Sequence, residues 1–64
     1  MDKSRNYKKL TKQKIARLEE IISINRSFLE TYGDDITPEY KQNIIEQNFK
    51  HREEIEELNK SLEV

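Results

Sequence analysis

His51 is the only side chain in this sequence that, unperturbed, changes charge near neutral pH. It stands three residues after Asn48 and four before Ile55, a spacing that puts all three on one face of a helix. There it is either a pH-sensitive element of a helix seam or an ordinary half-buried histidine bonded to a neighbour. The second is the commoner use of such a residue. A carboxylate cluster follows in Glu53, Glu54, Glu56 and Glu57, but no second ligand type accompanies it at metal spacing. With no cysteine and a single histidine, a disulfide or a Cys/His zinc site is ruled out. No nucleophile is matched with a base and an orienting group, and one glycine, Gly33, cannot make a phosphate-cradling loop. The residue types therefore point away from an enzyme, and no catalytic residue, cofactor or metal is expected.

One stretch could still carry binding chemistry. Residues 1–17 hold Lys3, Arg5, Lys8, Lys9, Lys12, Lys14 and Arg17 against Asp2 alone, although the whole chain has a net charge of only −1. Such a run neutralises phosphates in a salt-dependent, mostly sequence-independent way, and Tyr7 could stack on a base. Arg5, Tyr7, Lys8, Lys9 and Lys12 are the candidate nucleic-acid contacts on this reading. The competing reading folds the basic segment back beside the acidic second half, where the two neutralise one another. Leu10 to Ala16 resembles the opening of a helix-turn-helix, but apolar periodicity runs on unbroken through Phe28 where the turn should come.

The elements that must position these residues are legible from the middle of the chain outward. Tyr32-Gly33-Asp34-Asp35-Ile36-Thr37-Pro38-Glu39 is the only punctuation. Gly33 is expected to close a first helix in the left-handed conformation. Thr37 is expected to cap a second, with Pro38 at its first position and Asp34, Asp35 and Glu39 favouring its positive end. Helix 1 is predicted over about 4–32, starting near Ser4 or near Thr11, with a turn at 33–37 and helix 2 over about 38–62. Two long helices joined so briefly lie antiparallel. The expected fold is all-α: a single domain, an antiparallel two-helix hairpin that dimerises into a four-helix bundle. Residues 1–10 either extend helix 1, with Tyr7 and Leu10 packing near Leu62, or form a flexible basic arm.

Apolar residues recur at alternating steps of three and four. Helix 1 shows Ile15, Leu18, Ile22, Asn25, Leu29 and Tyr32, and helix 2 shows Ile44, Asn48, His51, Ile55, Leu58 and Leu62. These are coiled-coil seams. Folding the chain at its turn pairs Leu29 with Ile44, Asn25 with Asn48, Ile22 with His51, Leu18 with Ile55 and Ile15 with Leu58. The two asparagines fall in one layer, which fixes register because slipping would strand each amide against hydrocarbon. At the flanks Glu19 is expected to approach Arg52, and Lys14 to approach Glu54.

More apolar residues remain than one seam consumes. Ile21, Ile24 and Phe28 of helix 1 and Ile45 and Phe49 of helix 2 lie beside the seam in the half nearest the turn, and are read as an oligomer interface. A 64-residue chain without disulfides or metal has a marginal core of its own, which favours a second subunit. The expectation is thus a small regulatory protein-interaction module (inhibitor, antitoxin-like factor or adaptor) that acts through an oligomeric helical surface. It would partner itself as a homodimer, and another protein. The alternatives are a nucleic-acid-binding hairpin dimer and a structural subunit of a larger helical assembly. No apolar run is long enough for a membrane span and no signal-peptide pattern opens the chain, so a cytoplasmic location is expected.

Overall fold

The computed structural model describes residues 3–63, with side-chain surroundings from Asn6 onward. Two α-helices, α1 (Lys3–Tyr32) and α2 (Pro38–Glu63), pack against each other as a hairpin 51 Å long, 15 Å wide and 12 Å thick. Helix α1 starts well before Thr11, so the described part of the basic segment is helical rather than a loose arm. No described helix is long and apolar enough to cross a membrane.

The turn follows from its residues, with one departure. Thr37 caps α2: its Oγ1 accepts the Tyr40 amide at 3.2 Å and its carbonyl accepts the Lys41 amide at 3.0 Å. Pro38 begins the helix and Glu39 sits in its first turn. Gly33, however, does not adopt positive φ. Its amide donates to the Leu29 carbonyl at 2.9 Å, and the Asp35 amide bonds back to the Tyr32 carbonyl at 2.9 Å. Glycine is needed here for close approach, since a Cβ at this position would collide with the Leu29 carbonyl oxygen.

The core is the line between the helices. Ile15, Leu18, Ile22 and Ile44 are buried, together with the polar residues Thr11 and Asn48. Asn25, Leu29, His51, Ile55, Leu58 and Leu62 are half-buried. Thr11, a cap candidate by residue type, instead sits one seam step before Ile15 within α1 and is only 6% exposed. Its hydroxyl donates to the Tyr7 carbonyl at 2.8 Å, one turn back, so a mid-helix polar side chain is satisfied locally. Two residues given to the core sit outside it. Tyr32, the last residue of α1, is exposed, and Leu10 is 64% exposed on the outer side of α1. Near Leu62 it is Tyr7 that bridges the helices, its hydroxyl 2.8 Å from Ser61 Oγ.

Among the described residues no large side chain is completely sealed from solvent. Two helices have only one line of mutual contact, and a seam that narrow leaves every core residue with an edge to water.

Candidate functional site

The central layer is polar. Asn25 Nδ2 donates to Asn48 Oδ1 at 2.9 Å, and Asn48 Nδ2 donates to the Ile22 carbonyl at 3.3 Å. Asn48 is 8% exposed, yet no buried side-chain polar atom in the described residues lacks a partner. The amide pair resists sliding of one helix along the other, and the bond to the Ile22 carbonyl also resists rolling about the helix axis.

Contacts across the hairpin divide its two flanks. One is defined by Tyr7 with Ser61, Lys14 with Glu54 at 3.2 Å, and Phe28 with Tyr40. On α1 these recur at multiples of seven, which keeps them on one side of the seam. The opposite flank holds Arg26, Ile45, Phe49 and Arg52, which border a depression floored by Leu29 and Asn48. Arg26 and Phe28 are two residues apart, about 200° around a helix, and therefore emerge on opposite sides. Lys14 and Glu54 are 59% and 42% exposed, so their pair adds little energy. Glu19 and Arg52 do not pair within 4 Å: both are exposed, and water solvates them as well as they would solvate each other.

The five surplus apolar side chains therefore do not make one patch. Ile21, Ile24 and Phe28 belong to the Lys14–Glu54 flank, and Ile45 and Phe49 to the other. On the first, Phe28 packs against Tyr32 and Tyr40 with ring centroids 5.2 and 6.3 Å away, both tilted. Ile24 beside them is 58% exposed. On the second, Phe49 is 62% exposed between two arginines. Sequence spacing gave no place to Tyr40, whose ring meets Phe28 only once the turn brings α2 back; its signal was the seven-residue step from Tyr40 to Gln47 and Glu54 along one helix edge.

The basic end has its own geometry. Lys8, Lys9 and Lys12, with Asn6, Gln13 and Ala16, border an open depression on α1. These lysines make no ion pair with any described carboxylate. Tyr7 is turned toward Ser61, away from this group, and the side chain of Arg5 lies outside the described residues. His51 is half-buried on the seam and makes no hydrogen bond to another described side chain. Among the described residues no group of three or more His, Asp or Glu is placed to hold a metal ion. Comparison with protein-family models, with curated proteins and with solved structures finds no match.

Proposed function

We propose that this hairpin is a non-enzymatic interaction module, a small regulatory factor of the inhibitor, antitoxin-like or adaptor kind, that works by self-association and by docking a second protein. The observation that carries this reading is apolar exposure on both flanks: Ile24 on one, and Ile45 and Phe49, beside Arg26 and Arg52, on the other. A folded chain with a core this thin gains from covering such side chains, since each is worth about 1.5–3 kcal/mol when fully buried. Self-association of two hairpins makes a four-helix bundle, the simplest closed arrangement. It can cover only one flank of each hairpin, which leaves the other for a different protein. Arg26 and Arg52 around Phe49 suit a partner surface that combines an apolar knob with carboxylates.

The test separates the flanks. Sedimentation equilibrium of the wild-type chain should give a dimer, and Phe49→Glu should keep both the dimer and its helicity. Affinity capture from the source cells should retain a protein on the wild type that Phe49→Glu loses. A chain that stays monomeric, or capture unchanged by the substitution, removes the reading.

A second reading rests on the unpaired lysines. Lys8, Lys9 and Lys12 on one helical surface could neutralise the phosphates of a nucleic acid, with affinity falling steeply as salt rises. Retention on heparin and a mobility shift with RNA or DNA at low salt, both lost in Lys8→Ala/Lys9→Ala/Lys12→Ala, support it. No binding at low salt ends it.

A further inference from the structure

Helix α1 carries two regular stripes; α2 fills the first and touches the second only along its near edge, at Tyr7, Lys14 and Phe28, leaving Leu10, Arg17 and Ile24 exposed. Beside the seam run Tyr7 and Leu10, then Lys14 and Arg17, then Ile21, Ile24 and Phe28, again at alternating steps of three and four. A helix with two adjacent stripes of this kind is patterned for two neighbouring helices. The second stripe has an ordered polarity. Its apolar part, Ile21 to Phe28, lies between a basic end and an acidic end. The basic end is Lys14 and Arg17, which share one depression with Leu10. The acidic end is Asp35, which lies in a shallow hollow with Phe28 and Tyr40. Arg17 and Asp35 are exposed, and neither makes an ion pair with another described residue.

We infer that a second copy of this chain packs its α1 antiparallel on this stripe, with the two-fold axis at Ile24. The inference rests on the self-association proposed above and specifies its surface and direction. In that register Ile21 faces the partner's Phe28, Phe28 faces the partner's Ile21, and the two Ile24 side chains meet on the axis. Lys14 lies ten residues before Ile24, about 15 Å along the helix, and Asp34 lies ten residues after it. The basic end of each copy therefore comes over the acidic end of the other. Arg17 reaches the level of the partner's Tyr32, an exposed ring on which a guanidinium can stack. A parallel arrangement sets Lys14 and Arg17 on themselves and Asp35 on itself, and like charges so placed oppose association. A surface with an apolar centre and opposite charges at its ends is complementary to its own copy turned end for end, as an isologous contact requires.

The chain has no cysteine, so introduced ones report cleanly. Ile21→Cys and Phe28→Cys are made separately in the full chain, checked for helicity by circular dichroism, and oxidised alone and as an equimolar mixture. A disulfide-linked heterodimer from the mixture, with little linked homodimer from either variant alone, is the expected result. Linked homodimers of Ile21→Cys, or no mixed product from a chain that sediments as a dimer, overturn the direction while leaving self-association standing. A wild-type chain that sediments as a monomer defeats both. An independent reading comes from charge: Arg17→Asp should raise the dimer dissociation constant on the order of tenfold, and adding Tyr32→Arg, at the level it meets on the partner, should restore it. Failure of the second change to rescue the first also counts against this register.

Discussion

If the amide layer couples the two helices, removing it in halves and removing it whole should have different consequences. Replacing Asn25 by Leu leaves Asn48 buried with its Oδ1 unpartnered, because the bond from Asn25 at 2.9 Å is gone while the donor bond to Ile22 remains. An unsatisfied buried acceptor costs about 1–3 kcal/mol. The new leucine is only half-buried at that site and returns roughly 1 kcal/mol. Asn25→Leu should therefore be neutral to about 2 kcal/mol destabilising. Asn48→Leu has a smaller penalty, because the half-exposed Asn25 can turn to water. The double variant strands no amide and closes the seam with hydrocarbon, so it should be more stable than the sum of its parts by about 1–2 kcal/mol. Urea unfolding followed by circular dichroism, at one protein concentration for all four chains, measures the cycle. Additivity within about 0.4 kcal/mol would mean that the amides are independent surface groups, and the account of the layer would be refuted. A second readout addresses register. Spin labels at Lys12 and Asn59 should report one distance in the wild type and a broader distribution in the double variant, whose uniform seam no longer penalises a slip.

Other sites give sharper or smaller effects. Gly33→Ala should lower stability by about 1 kcal/mol or more in thermal unfolding, because the added carbon meets the Leu29 carbonyl oxygen; an unchanged midpoint would mean the turn relaxes freely. Thr37→Ala should cost about 0.5–2 kcal/mol, with Thr37→Ser retaining most of it, since the cap is the hydroxyl that accepts from Tyr40. Lys14→Ala should cost less than about 1 kcal/mol, and the difference from wild type should fade in 1 M salt, as both partners of its ion pair face solvent.

Much of the fold could be read from particular residues. Thr37 and Pro38 announce the start of α2 by chemistry that has little other use at that spacing, and Asn25 and Asn48 select one register out of several the apolar residues would tolerate. What escaped reading had physical reasons. Thr11 was ambiguous because the same hydroxyl that caps a helix can bond back to a carbonyl within one, and only the observed start of α1 decides between them. Gly33 suggested a left-handed residue when the chain needed room beside a carbonyl, and both demands select glycine. The surplus apolar residues were visible, but their division between two flanks depends on antiparallel geometry. In such a pair the residue just before a seam position on α1 meets its counterpart on α2, as Phe28 meets Tyr40, whereas Ile45 follows its seam position and turns the other way. The absent Glu19–Arg52 pair shows that reach alone does not hold two solvated ions together.

The bond between Tyr7 and Ser61 has a practical corollary. It ties the start of α1 to the finish of α2, so polypeptide enters and leaves the hairpin through a single doorway, at the pole farthest from Gly33. A tether or fluorescent fusion attached there stands clear of Ile24 and Phe49, and the module could be grafted into a loop of a host protein through that pole without prising its helices apart.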